Sequence, residues 1–125
     1  MASFSVIGST TTYESVYPAT DVPVIEQPTT LPVTPKEIIR SVSDSTGISY
    51  DVMYNVIECE SGFNPNAIGD NGHSFGLVQI FLEYHPTVTK EQALNPEFAI
   101  NFLAEKLSQG KGNLWTCYRT IYGKT

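Results

Sequence analysis

Glu58 and Glu60 close an apolar helical run, Val52, Met53, Val56 and Ile57, that stops at Ser61-Gly62. Asn64-Pro65 forbids the helix from continuing. A carboxyl in the last turn of such a helix stands half in the core and half at a surface. Desolvation there disfavours the carboxylate, and the negative end of the helix dipole pushes the same way, so the pKa of Glu60 is expected to rise. A carboxylic acid kept protonated near neutral pH is the proton donor that glycosidic bond cleavage needs. Glu58 is the rival. Two positions on a helix are about 200° apart, so only one of the pair can face a given cleft. Glu60, nearer the helix exit, is the candidate. The local pattern by itself fits two solvated surface acids equally well.

Other polar groups follow in a glycine-rich stretch. Gly69-Asp70-Asn71-Gly72 is a strong turn signal, because Asn-Gly accepts positive φ. Asp70 is either a turn residue accepting backbone hydrogen bonds or a second carboxylate that activates water. The second role would make an inverting hydrolase, whose carboxyl pairs stand roughly 6.5–9.5 Å apart. His73 is a possible second titrating group. His73 and His85 lie too far apart for a helical metal pair, so no metal and no cofactor are expected. Tyr84 is a candidate for stacking on a sugar ring, with packing the equal alternative.

The run Glu60-Ser61-Gly62-Phe63-Asn64-Pro65, a glycine-rich flap, and Gly76-Leu77-Val78-Gln79-Ile80 together resemble the lysozyme-like soluble lytic transglycosylase family. Val78 stands where that family most often has Met. The likeness spans roughly residues 35–122, and its specific part is 58–80. Cys59-Glu60-Ser61 is also similar to the resuscitation-promoting-factor branch of lysozyme-like folds. The resemblance implies that Glu60 is the catalytic acid/base and that Gly76, Leu77 and Gln79 line the glycan cleft; Ser74, returning along the flap edge, is a further candidate for binding the substrate. It implies a Tyr near the acid from the final helix. Tyr118 is the first choice and Tyr122 the second, although Cys117-Tyr118-Arg119 replaces the usual Ala-Tyr-Asn. Two cysteines, Cys59 and Cys117, allow one disulfide. Buried free thiols are the ordinary alternative, and the resemblance favours a bridge, with an oxidising compartment as its corollary.

Composition bounds the remaining choices. The 125 residues suffice for one small domain, and the formal charge is −6. Residues 1–35 hold Glu14, Asp21 and Glu26 with no Lys or Arg. Nothing is basic enough to suggest nucleic acid. No apolar run is long enough to span a membrane. The first eight residues lack a basic start and a long apolar segment, so no signal peptide is expected in this chain. That leaves secretion to the cell envelope or a phage-encoded, virion-associated origin.

The elements that must hold these residues are legible in order. Residues 1–34 carry Pro18, Pro23, Pro28 and Pro32 among Thr, Ser and Val, which reads as an extended arm or linker. It is expected to be a tether to a partner domain or protein, or an arm laid along one. The domain is placed at 35–125. Thr34-Pro35-Lys36-Glu37 is a capping box with Pro at the first helical position, and Gly47 is a natural stop. Ser49 or Asp51 opens the helix that carries Glu60. Residues 63–75 read as a β-hairpin or two-stranded flap, with Gly76 starting a short helix. Thr89-Lys90-Glu91-Gln92 is a second capping box, and Asn95-Pro96 opens the longest helix, which ends near Gly110. A last helix is expected from Asn113, with Trp115 in the core.

The expected fold is therefore mainly α (α+β, lysozyme-like), a helical domain with a small β flap beside a cleft. The expected function is cleavage of the β-1,4 bond between N-acetylmuramic acid and N-acetylglucosamine in peptidoglycan glycan strands. A 1,6-anhydromuramoyl product is expected. The alternatives are a hydrolytic lysozyme using Glu60 with Asp70, and a non-catalytic glycan-binding or virion structural module.

Overall fold

In a computed structural model, which describes residues 33–123, Thr34 caps the first helix, α1 (Pro35–Thr46). Its hydroxyl accepts the Glu37 N–H at 3.2 Å, and the Glu37 carboxylate accepts the Thr34 N–H at 3.0 Å. Gly47 ends α1 at φ 80°, where a side chain would be strained. Of the two candidate starts for the next helix, Ser49 is the cap of α2 (Tyr50–Ser61). The expected arm at 1–34 lies outside the described residues, apart from Val33 and Thr34.

The flap is a three-stranded antiparallel meander rather than a two-stranded hairpin. Its strands are β1 (Ile68–Gly69), β2 (Ser74–Phe75) and β3 (Ile80–Phe81), paired Ile68 to Phe75 and Phe75 to Ile80. The helix expected to start at Gly76 does not form. Gly76 and Gln79 sit at φ 87° and 52°, outside the right-handed region, so 76–79 turn the chain back as β3. Gly76 is also required by space: a Cβ there would collide with the Ala93 carbonyl.

Ala93 belongs to α3 (Lys90–Leu94), which is followed by α4 (Pro96–Ser108). Both carry the caps expected at Thr89 and Asn95. The core lies among α1, α2, α4 and the sheet, with Ile39, Met53, Ile57, Leu77, Ile80, Ile100 and Leu103 fully buried. Trp115 is buried against Phe102, and its indole N–H donates to the Val78 carbonyl at 2.6 Å. That bond ties the turn before β3 to the C-terminal segment.

The last helix starts later than expected. Gly112–Leu114 form one 3₁₀ turn, and α5 runs Thr116–Tyr122. No local side chain caps α5; Asn113 does not do so. Cys59 and Cys117 are bridged, with Cα atoms 5.9 Å apart, so the end of α2 is joined to the start of α5. Among the described residues no helix is long and apolar enough to cross a membrane.

Candidate active site

Where α2 ends, the flap and α5 enclose an open cleft of about 700 Å³. Glu60 lies in it and Glu58 is exposed elsewhere on the helix, as the 200° between them requires. A Glu60 carboxylate oxygen accepts the backbone N–H of Cys117 at 3.2 Å. Glu60 thus supplies from α2 the acceptor that the first turn of α5 lacks locally. Burial pushes the Glu60 pKa above the ordinary carboxylate value. The Cys117 N–H acts against that rise, the Asp70 charge adds to it, and the Arg119 charge opposes it.

Asp70 lines the same cleft. One of its carboxylate oxygens accepts the hydroxyl of Ser74 at 2.5 Å, and Ser74 is buried with 1% exposure. Asp70 is therefore fixed at the cleft wall by a buried donor. Gln79 spans the flap, its amide nitrogen donating to the carbonyls of Ala67 (3.2 Å) and Gly76 (3.0 Å). Both amide hydrogens have partners, and the carbonyl oxygen lies against Gly69, where a Cβ would collide with it. Phe81 and Tyr84 meet edge to face with ring centres 4.6 Å apart, and both line the cleft. Tyr84 is 74% exposed, so its ring is open to a partner rather than packed.

The backbone here is unusual. Asp70, Asn71 and Gln79 have φ of 51°, 57° and 52°, and all three line the cleft. Non-glycine residues held in this region mark places where the surroundings override local preference.

Of the residues expected to bind glycan, Ser74, Gln79 and Tyr84 lie in the cleft with Glu60 and Asp70. Gly76, Leu77 and Tyr118 do not line it. Gly76 is packed on α3, and Leu77 has no exposed surface with which to touch a sugar. Tyr118 is packed off the cleft. With about 100° per residue, Thr116 and Arg119 share the cleft face, while Tyr118 turns toward Gly112 and the core. Tyr122 is turned to α2, where its hydroxyl accepts from the Asn55 amide at 3.0 Å. His73 pairs with Glu83 at 3.0 Å on the exposed side of the flap. His85 stands edge-on to Phe102, and its pKa is lowered by burial and then by the Lys106 charge. Neither histidine lines the cleft.

Asn71, Phe81, Leu114, Thr116 and Arg119, and one edge of the otherwise buried Trp115, line the cleft without having been expected there. The i, i+3 spacing of Thr116 and Arg119, which puts both on one helix face, was the signal for these two. A second depression, about 540 Å³, lies where α3 meets α4. Its Gln92 and Asn95 are engaged as helix caps.

A mainly helical domain with a half-buried acid beside a small sheet is the lysozyme-like arrangement. The chain belongs to the transglycosylase SLT domain family, which matches it over residues 37–120. No curated protein and no solved structure gives a significant match. Family membership makes peptidoglycan the substrate and puts the action outside the cytoplasm.

Proposed function

We propose that this chain cleaves the β-1,4 bond between N-acetylmuramic acid and N-acetylglucosamine and leaves 1,6-anhydromuramoyl ends, with Glu60 as the acid and then the base. The observation that carries this reading is the setting of Glu60: half-buried in the cleft, raised in pKa, and bonded to one fixed amide. Protonated Glu60 gives its proton to the glycosidic oxygen as the bond to the anomeric carbon breaks. The new carboxylate is held by the Cys117 N–H. It then takes the proton of the muramoyl 6-hydroxyl, whose oxygen bonds to the anomeric carbon and closes the ring. No water is consumed. Gln79 and the Phe81–Tyr84 edge would hold the sugars. The composition of residues 1–34 supports a tether role for that arm.

A second reading is favoured by a specific observation, the placement of Asp70 in the same cleft with Ser74 donating to it. Here Asp70 activates water and the enzyme is a hydrolase. Mass spectrometry of muropeptides from digested peptidoglycan separates the two. Products lighter by one water are expected from the native chain, and Glu60→Gln should lower their yield about 10²–10⁴-fold. Reducing ends would replace the first reading with the second. No Glu60-dependent product at all would leave a glycan-binding or structural module.

A further inference from the structure

The cleft sets an electrostatic problem. Its walls present two carboxyls, Glu60 and Asp70, in a chain of formal charge −6. Peptidoglycan strands are themselves anionic. Each muramoyl residue carries a lactyl carboxyl, either free or joined to a peptide stem that brings carboxylates of its own. Repulsion between the cleft and such a strand must be offset locally.

Among the described residues lining the cleft, Arg119 is the one cationic side chain. It is exposed, yet fixed. One terminal nitrogen donates to the Asn113 carbonyl at 2.6 Å and the other to the Thr116 hydroxyl at 3.0 Å. These bonds set the plane of the guanidinium and leave N–H groups over, since the group has five. Among the described residues no carboxylate forms an ion pair with it, although Glu60 and Asp70 share its cleft. A guanidinium that is oriented, exposed and without a carboxylate in ion-pair contact offers a two-pronged site for one more carboxylate.

We propose that Arg119 is a specificity-determining residue that binds a carboxylate of the glycan strand, on the lactyl group or on the peptide stem, and so selects anionic muramoyl strands over neutral glycans. This inference rests on the reading of the cleft as a peptidoglycan site. Asn113 and Thr116 are positioning residues for it.

The test uses soluble strands in two forms, stem-bearing and stripped to the free lactyl acid, each with or without conversion of its carboxylates to amides. Binding is measured with Glu60→Gln, so that no turnover intervenes, and with Glu60→Gln/Arg119→Gln. Removing Arg119 is expected to weaken binding to a carboxylate-bearing strand about tenfold, and not to change binding to its amidated form. Glu60→Gln alone should lose the same factor when the strand is amidated, a comparison that needs no second substitution to fold. A response confined to stripped strands assigns the lactyl group, and one confined to stem-bearing strands assigns the stem. Equal weakening on every form, or none on any, would overturn the proposal. Turnover by the native chain is read separately. An absent Glu60-dependent product would sink the proposed cleavage and leave the Arg119 result standing on binding alone.

Discussion

Glu60 is set by opposed neighbours, and the balance can be moved one neighbour at a time. Burial and the Asp70 charge favour its protonated form, while the Cys117 N–H and Arg119 favour the carboxylate. An acid catalyst loses activity as pH rises through its pKa. Asp70→Asn removes a raising influence, so the alkaline limb of kcat/KM is expected to move to lower pH. If Asp70 only tunes Glu60, activity at acidic pH should stay within about threefold of the native value. Loss of product across the whole pH range would instead make Asp70 a participant in the reaction.

At the scale of elements, the decisive contact is between α2 and α5. The residue before the acid is bridged to the residue whose amide binds the acid. Reduction should therefore act on stability and on chemistry together. A closed loop of this length is worth on the order of 4 kcal/mol in the chain-entropy view. The melting temperature is expected to fall by about 10 °C or more in reductant. Calorimetry with and without reductant checks this, and an unchanged transition would show that the bridge contributes little.

Much of this element layout was legible. Thr34, Thr89 and Asn95 each gave a helix start, and Ser49 was one of two candidates with Asp51, because a cap is a local bond between residues close in sequence. The start of α5 was not legible, because its acceptor comes from Glu60, far back in the chain. The turn at Gly76–Gln79 was hidden for a similar reason. A Gln at φ 52° is a tertiary outcome, secured by bonds from its own side chain to Ala67 and Gly76. The helix exit places Glu60 in a cleft, whereas Leu77, expected to line it, is core.

For the whole molecule, the raised pKa of Glu60 is also a statement about folding. The native state holds this proton more tightly than the unfolded chain does, so stability from this group is full below the ordinary Glu value of 4.5 and declines as pH rises. The decline is complete once pH exceeds the raised native value. Glu60→Gln cannot ionise, yet its amide oxygen can still accept the Cys117 N–H. It is expected to melt with the native chain at pH 4 and a few degrees higher at pH 7.5. Thermal melts at both pH values decide this, and a difference that does not vary with pH would contradict it.

The bond between Glu60 and the Cys117 amide has one more consequence, which concerns the order of synthesis. Ribosomes make residue 60 long before residue 117. A nascent or truncated chain that stops short of α5 carries the acid without its amide, its bridge or the Arg119 side of the cleft. On the proposed mechanism such a fragment cannot cut a wall. Only a molecule translated through α5 and correctly closed is armed, so activity in a preparation counts finished molecules rather than polypeptide.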